Sequence, residues 1–291
     1  MSDHPRAVVQ RFPPVETMEG AGVRLRRSFG NGEVPLFDPF LLLDNFGSSN
    51  PEDYLAGFPW HPHRGIETVT YMLEGRVDHG DSLGNAGSID AGDVQWMTAG
   101  SGIIHQEMPQ RTEGSLRGFQ LWVNLPSREK MTTPAYRGLT SPELPTESTP
   151  DGGRVRVVAG EYGSVQGPVG GISVSPTYLD VTLLPDSKFQ HPIPVGHTSF
   201  AHTVSGSVAF GAASEPFNAP GETLLFGPGH HVAARAGPLG GRFLLVAGRP
   251  LGEPVAWYGP IVMNHQEELA QAVRDLRAGT FIRDRKTIVE E

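Results

Sequence analysis

The stretch HPHRGIETVTYMLEG, residues 61–75, indicates both the fold and the chemistry of this chain. Its second part is rich in β-branched and aromatic residues and ends at Gly75, a pattern typical of a β-strand. His61 and His63 come just before that strand, and in an extended chain residues two apart point to the same face. We therefore predict a strand-rich fold that presents two imidazoles together.

A second pair of the same kind, His105 and Glu107, lies about forty residues later. If the two extended segments lie side by side in a sheet, three imidazoles and one carboxylate converge on one point. Such ligands, without thiolate, suit iron, manganese, nickel, copper or zinc, and leave one or two coordination positions open. This predicts a mononuclear metal site formed by His61, His63, His105 and Glu107.

Other polar residues near these pairs have competing interpretations. Glu67 lies four residues after His63, and we interpret it as a neighbour or ion-pairing group rather than a ligand, whereas Glu107 could also be a plain solvent-facing carboxylate. His79 is expected in a loop or as a hydrogen-bond partner of the ligands. Five further histidines lack a metal-like pairing and are expected to be structural or incidental: His191, His197, His202, His230 and His231.

The composition is that of a globular protein rich in strands. Among 291 residues, the 37 Gly and 26 Pro favour many short strands and tight turns. A formal charge of −9 argues against direct nucleic-acid binding. The absence of cysteine excludes disulfides, thiolate metal sites and a Cys nucleophile. Neither a signal peptide nor a stretch of 18 apolar residues is evident, so we expect a cytoplasmic protein with no membrane segment.

The length allows two domains, and the composition suggests where they meet. Pro, Ser, Thr and Glu dominate the middle of the chain, which predicts an irregular linker. Near the end, Asn264 and Glu267 form a potential capping box and Gly279 a stop signal, which predicts a helix over about 264–279. We predict an N-terminal barrel that carries the metal site, the linker, and a C-terminal barrel that includes the helix, at residues 1–130, 131–150 and 151–291.

The two halves of the chain resemble each other, which indicates a repeat. Aligning Gly92 with Gly221 matches the strand that ends at Gly75 with the one that ends at Gly206. The His-x-His pair has no recognisable equivalent in the second half. We therefore predict two similar barrels, only one of which holds a metal, because the positions of His105 and Glu107 are occupied in the second by Ala234 and Ala236.

Two motifs resemble the signature of the pirin family, a bicupin group: HPHRGIETVTY at residues 61–71 and WMTAGSGIIHQEMP at residues 96–109. The similarity continues into EPVAWYGPIVMN, residues 253–264, and so covers essentially the whole chain. It implies an all-β fold of two tandem cupin barrels, which are jelly-roll-like and antiparallel, with a short C-terminal helix. It also implies one metal in the N-terminal barrel, held by His61, His63, His105 and Glu107.

The resemblance also leads to expectations about activity. Glu67 stands where the general cupin motif has its carboxylate ligand, so it remains an alternative to Glu107. Pirin-like proteins are associated with quercetin 2,3-dioxygenase activity. We therefore expect a dioxygenase that opens the central ring of a flavonol such as quercetin with dioxygen, and Glu107 as the general base. The expected metal is Fe(II), with Mn, Ni, Cu, Co and Zn as alternatives.

Two other functions stay open at this stage. Some pirin-like proteins act as transcription cofactors or enzyme regulators, which implies a metal-dependent regulatory protein that contacts a protein partner. A different metal-dependent conversion, such as isomerisation or oxygenation of another small enol-forming substrate, is the third alternative.

Overall fold

Strands dominate the computed structural model, which describes residues 4–212 and 215–283. The strands up to residue 139 are β1 (Val8–Phe12), β2 (Val15–Glu19), β3 (Val23–Phe29), β4 (Phe40–Ser48), β5 (Phe58–His63), β6 (Ile66–Glu74), β7 (Arg76–Asp81), β8 (Ala86–Asp90), β9 (Val94–Thr98), β10 (Ile103–Pro109), β11 (Leu116–Asn124) and β12 (Ala135–Leu139).

The second half continues in the same way. Its strands are β13 (Thr146–Ser148), β14 (Arg154–Ala159), β15 (Glu161–Tyr162), β16 (Val165–Gln166), β17 (Thr177–Leu183), β18 (Lys188–Pro192), β19 (Thr198–Phe210), β20 (Thr223–Phe226), β21 (His231–Gly248), β22 (Ala256–Tyr258) and β23 (Ile261–Met263), and they are followed by the helix α1 (Gln266–Ala278).

The described chain divides into two compact units. The N-terminal segment belongs to the unit formed mainly by the second half, and the C-terminal segment belongs to the unit formed mainly by the first half. The His unit consists of residues 16–35, 40–141 and 252–283, and the apolar unit of residues 4–15, 36–39, 142–212 and 215–251. The N-terminal strand β1 thus belongs with the second half, where it pairs with β20. The prediction of domains at 1–130 and 151–291 placed each chain end in its own half. Residues 284–291 lie outside the described part.

The His unit contains two larger antiparallel sheets and the two-stranded pair β22-β23. One has the order β12-β9-β6-β11-β4-β3-β2, and the other the order β5-β10-β7-β8. Strand β6 lies in the interior of the larger sheet, and its first seven residues are buried on both faces, as expected from its β-branched and aromatic sequence. The smaller sheet carries both His-bearing segments, on β5 and β10.

The apolar unit is built on one sheet of eight strands. Its path is β1-β20-β19-β21-β17-β14-β13, and β18 also pairs with β21. Aliphatic and aromatic side chains fill its interior, and rings pack edge to face, as between Phe210 and Phe243 at 5.0 Å. This unit therefore has a dense apolar core.

The segment 131–150 is not the irregular linker that its composition predicted. Within it, β12 pairs with β9 of the His unit and β13 pairs with β14 of the apolar unit. Both strands are short and largely exposed, so they lack the alternation that identifies a strand in a sequence. Backbone pairing to a sheet edge, rather than side-chain burial, defines them.

The single predicted helix is present, but its cap and its location differ from the prediction. Glu268, not Glu267, accepts hydrogen bonds from the backbone N–H groups of Asn264 and His265, and Gly279 ends the helix at φ 70°. Leu269 packs in a cluster of the His unit, not of the second barrel. The sequence shows an apolar stripe but not which sheet it covers. No helix in the described part of the chain is long and apolar enough to cross a membrane.

Candidate metal centre

Three imidazoles from β5 and β10 converge inside the His unit. The antiparallel register places His105 opposite His61 and Ile103 opposite His63. The ring centroids of the three histidines lie 4.4 to 5.0 Å apart, and their ligand nitrogens all lie within 4.8 Å of one another. This group could hold a metal ion, and it contains the three predicted histidines but not the predicted carboxylate of Glu107.

Hydrogen bonds to backbone carbonyls fix the protonation of two of the rings. The Nδ1 atom of His61 lies 2.9 Å from the carbonyl oxygen of Pro59, and that of His63 lies 3.2 Å from the carbonyl oxygen of Pro260. Because a carbonyl only accepts, each Nδ1 carries the proton and each Nε2 has a lone pair. Both rings therefore present the nitrogen that a metal binds.

The three Nε2 atoms are arranged as a cation would require. Those of His61 and His63 are 3.1 Å apart, and that of His105 is buried with no hydrogen-bond partner among the residues that the structure describes. Lone pairs this close repel each other unless a cation lies between them. Nitrogens bound about 2.1 Å from one metal at right angles lie about 3 Å apart. The residues present thus fit a bound metal.

Burial keeps these imidazoles neutral. It is the largest cause that lowers the pKa of His61, and it lowers the pKa values of His63 and His105 much further, with a smaller contribution from the neighbouring imidazoles. Neutral imidazole is the form that coordinates a metal, so no proton has to be displaced near neutral pH.

Glu107 is buried beside this cluster and is not a solvent-facing carboxylate. It points to the same face of β10 as His105, and its Oε1 accepts a hydrogen bond of 2.9 Å from the hydroxyl of Thr70. Burial raises the pKa of Glu107 to about 7. A carboxyl group with this pKa can accept or release a proton near neutral pH.

Glu67, the competing carboxylate, is not brought to the imidazoles. It stands three residues before Thr70 on β6, so the two side chains point to opposite faces of the strand. Its Oε1 accepts a hydrogen bond of 2.7 Å from the hydroxyl of Thr98, and burial raises its pKa. Both Glu67 and Glu107 lie outside the group of ligand atoms that surrounds the candidate metal position, which consists of the three histidines.

His79 lies on a strand rather than in a loop. On β7 it stands opposite Glu107, its ring stacks on Tyr136 at 5.0 Å, and its Nε2 is 2.8 Å from the Tyr136 hydroxyl. Burial raises the pKa of Tyr136 to about 12, so the phenol stays protonated at neutral pH. The sequence did not indicate Tyr136, because it lies in the segment interpreted as a linker.

The C-terminal segment supports the residues that follow His63. The buried Arg64 guanidinium donates to the Ser101 carbonyl at 2.7 Å, to the Asp275 carboxylate at 2.7 Å and to the Phe281 carbonyl at 2.9 Å. Ser101 belongs to the turn that leads into β10. One side chain thus connects both ligand-bearing strands to α1 and the segment after it. Arg64 lies in the quoted motif, but only the fold reveals its partners.

Lys130 makes a second connection of this kind. Its ammonium donates to the carbonyls of Gly65 and Val262 and to the side-chain oxygen of Asn124, at 2.5 to 2.9 Å. Gly65 has φ 79°, and a Cβ at this position would lie 2.0 Å from the Val262 carbonyl oxygen. The turn after His63 therefore requires glycine and lies directly against β23.

A cavity of about 540 Å³ opens beside the imidazoles. The indole of Trp122 stands edge-on to His63 at 5.2 Å and stacks on Trp257 at 5.7 Å. Most of the remaining wall is apolar, and a few polar side chains interrupt it. The polar and charged residues of the wall are Glu19, Arg27, Asn31, Asp44, His61, His63, Thr70, Glu107 and Gln120.

Strand pairing identifies the positions in the apolar unit that correspond to this site. On β21, Ala234 is opposite Phe189 and Val232 is opposite His191, as His105 is opposite His61 and Ile103 opposite His63. The sequence comparison found no counterpart of the His-x-His pair. The register supplies one, Phe189 and His191, in which a single histidine remains. Ala234 and Ala236 are buried in the apolar core.

Comparison with known proteins identifies the family. The Pirin family model matches residues 22–123, and the model of the Pirin C-terminal cupin domain matches residues 178–282. This chain belongs to the pirin family. A pirin-like protein of Caulobacter vibrioides is 46% identical, over 95% of this chain and 99% of the other. Human Pirin is also 46% identical, over 90% of this chain and 89% of the other.

A solved structure extends the comparison to the fold. Quercetin 2,3-dioxygenase from Acinetobacter baumannii matches with a TM-score of 0.87 and 32% identity, over 95% of this chain and 98% of that one. The predicted family and the all-β fold of two cupin domains with a C-terminal helix are therefore confirmed.

Proposed function

We propose that this pirin is a metal-dependent dioxygenase that opens the central ring of a flavonol such as quercetin. The observation that carries the proposal is the cluster of three neutral imidazoles, whose lone pairs converge at the wall of a cavity of about 540 Å³. A cavity of this volume is typical of sites for small organic ligands. The likeness to the Acinetobacter baumannii quercetin 2,3-dioxygenase supports the choice of substrate.

In this proposal His61, His63 and His105 hold the metal, and Glu107 is the fourth ligand. Fe(II) is our first choice of metal, with Mn, Ni, Cu, Co and Zn as alternatives, because this donor set accepts all of them. A divalent metal would supply binding positions for the flavonol oxygens and for dioxygen, and would stabilise negative charge on the substrate.

Glu107 is also the proposed general base. It lines the cavity together with His61 and His63, and the Thr70 hydroxyl holds its Oε1 in place. The carboxylate takes the proton of the flavonol 3-hydroxyl, and the substrate becomes an electron-rich anion that can react with dioxygen. The stacked indoles of Trp122 and Trp257 form a flat apolar wall against which the ring system packs.

The test begins with metal analysis of the purified protein. Quercetin consumption is then measured with and without dioxygen, after reconstitution with each metal, together with carbon monoxide release. Glu107→Gln should keep a measurable share of the metal and lose about a hundredfold or more in turnover. The matched control is Glu67→Gln. It removes another buried carboxylate, on the face of β6 opposite to Thr70, and should keep most activity. If none of the metals supports dioxygen-dependent consumption of quercetin, the proposal is refuted.

A metal-dependent regulatory protein is the second candidate, and one observation favours it. Trp257 lines both the cavity and a surface groove that it forms with Tyr258, Leu269, Val273 and Arg274. A change at the metal could therefore alter the surface around α1. This function predicts that metal loading changes hydrogen exchange in α1 while quercetin is left unconsumed.

A further inference from the structure

A line of polar side chains crosses the inner face of the larger sheet of the His unit. Arg27 on β3 is opposite Asp44 on β4, Asp44 is opposite Gln120 on β11, and Gln120 is opposite Thr70 on β6. Directly opposite residues of antiparallel strands share a face, so the four side chains form one continuous row. We call Arg27, Asp44, Gln120 and Thr70 the polar row, and all four line the cavity.

The row leads from the rim of the cavity to Glu107. Thr70 lies 2.9 Å from Glu107 and 2.7 Å from the side-chain oxygen assigned in Gln120. A hydroxyl has one proton and cannot donate to both. Exchanging the nitrogen and oxygen of the Gln120 amide resolves this, since its nitrogen then donates to Thr70 and Thr70 donates to Glu107.

At its other end the row presents a buried anion. The guanidinium of Arg27 donates to both Asp44 oxygens at 2.8 Å, and the Asp44 side chain is almost completely buried. A carboxylate has about four acceptor positions, and Arg27 takes two of them. Leu42 and Phe46, the neighbours of Asp44 on the same face of β4, are apolar and also line the cavity. Asp44 is therefore a strong acceptor on an otherwise apolar wall.

The fold does not require these polar residues. In the apolar unit, the same pairings run from Val157 to Leu179, from Leu179 to Leu245 and from Leu245 to Ala201. These four residues occupy the positions of Arg27, Asp44, Gln120 and Thr70, and all are buried in the apolar core. An equivalent sheet thus forms with aliphatic residues throughout. The polar row occurs in the unit that has the imidazoles and the cavity, which indicates a role toward a ligand.

We propose that the polar row binds the part of the substrate that is remote from the metal. Asp44 accepts a hydrogen bond from a hydroxyl at the far end of a flat aromatic molecule, and Gln120 contacts the middle of that molecule. Asp44 and Thr70 are two strands apart, which is about 10 Å along the sheet. A flavonol matches this arrangement, because the hydroxyls at the outer edge of its pendant ring lie a full ring away from the metal-binding oxygens of its central ring.

This inference rests on the proposed function and adds a substrate preference to it. The site should distinguish flavonols that carry hydroxyls on the pendant ring from flavonols that do not. A hydrogen bond to a charged group changes affinity by about tenfold or more. The probes are quercetin, which has these hydroxyls, and 3,5,7-trihydroxyflavone, which lacks them.

The experiment measures the dissociation constants of both flavonols under anaerobic conditions, with the full chain reconstituted with Fe(II). Without dioxygen there is no turnover, so the readout is binding alone. The wild type should prefer quercetin by about tenfold. Asp44→Asn should reduce this preference to about threefold or less, with little change for the flavonol that lacks the distal hydroxyls. Gln120→Met should weaken the binding of both flavonols by a similar factor.

The matched control is Asp180→Asn in the apolar unit. Asp180 is buried and pairs with Arg242 through the same two-pronged contact, at 2.9 and 2.6 Å, but it does not line the cavity. This variant should bind both flavonols as the wild type does. If Asp44→Asn does not fold, the response of Gln120→Met decides.

Two negative results have different meanings. If the wild type binds both flavonols but shows no preference, and Asp44→Asn and Gln120→Met leave both affinities within about twofold, the role of the polar row is refuted and the proposed function stands. If the wild type binds neither flavonol, the proposed function and this inference are both refuted.

Discussion

At the position where β10 has His105, β21 has Ala234, and the side chain opposite it is Phe189 instead of His61. The two units therefore share the same strand pairing but differ in what their interiors contain. In the apolar unit, Phe189, Phe210 and Phe243 pack edge to face at 5.0 to 5.5 Å and fill the space inside the sheet. In the His unit the corresponding space is a cavity with imidazoles at its wall.

This difference distinguishes the residues that stabilise the fold from the residues that form the site. A barrel of this topology is stable with a close-packed apolar interior, which is the usual source of folding free energy. Converging lone pairs, a buried carboxylate and a polar row all oppose burial, and each costs free energy unless it is paired. Their concentration in one unit indicates that they are maintained for a ligand.

The largest effect is expected on metal affinity, when His105 is replaced by the alanine found at the same position of the apolar unit. His105→Ala copies Ala234 and should lower metal affinity by more than about a hundredfold, since even changes around metal ligands cost 10–100-fold. Metal content after dialysis, measured by mass spectrometry, checks this. His191→Ala, at the position of His63 in the apolar unit, is the control and should leave the metal content unchanged. Full metal retention in His105→Ala would show that the imidazole cluster is not the site.

A somewhat smaller effect is expected from Arg64, whose counterpart in the apolar unit is Pro192. Arg64→Met leaves the buried carboxylate of Asp275 without its nearest cation and should lower the free energy of unfolding by about 3 kcal/mol. Urea unfolding followed by tryptophan fluorescence measures this change. Metal affinity should fall about tenfold, because the turns after His63 and before β10 lose a shared anchor.

The exposed ion pair of Arg76 with Asp78 provides the control. Arg76→Met should change neither stability nor metal affinity appreciably. A stable Arg64→Met protein with unchanged metal affinity would show that the C-terminal segment does not position the ligands.

The smallest effect concerns the histidine that remains in the apolar unit. Burial lowers the pKa of His191 from its ordinary value of 6.5 to about 4, so between these pH values the unfolded chain binds more protons than the folded one. The free energy of unfolding therefore falls as the pH falls from 6.5 to 4. His191 should account for about 2–3 kcal/mol of the loss between pH 7 and pH 4.5.

Replacing this histidine tests the assignment. His191→Phe should lose less stability on acidification than the wild type does, by the amount just given, as measured by urea unfolding at both pH values. His230→Phe alters an exposed histidine and should follow the wild type. An equal loss in His191→Phe and in the wild type would contradict the expectation.

The sequence predicts the parts of this molecule that depend on local patterns. Alternation and spacing identified the two His-bearing strands, and the glycine alignment identified the repeat. The exchange of chain ends was not predictable in this way, because no local pattern shows which sheet edge a strand joins. Arg64 and Asp275 are 211 residues apart in sequence, so their contact depends on the complete fold. The polar row was missed for the same reason, since each of its residues is on a different strand.

The dependence of His63 on the C-terminal segment has a consequence for protein synthesis. This ring is oriented by the Pro260 carbonyl, and the adjacent Arg64 is held by groups of Asp275 and Phe281. All three partners come about 200 residues later in the sequence. A ribosome adding about 5–20 residues per second needs roughly 10–40 s to reach them. A chain truncated before residue 260 has all three histidines but lacks these supports. We therefore expect metal uptake to follow completion of translation and prematurely terminated chains to remain poorly loaded.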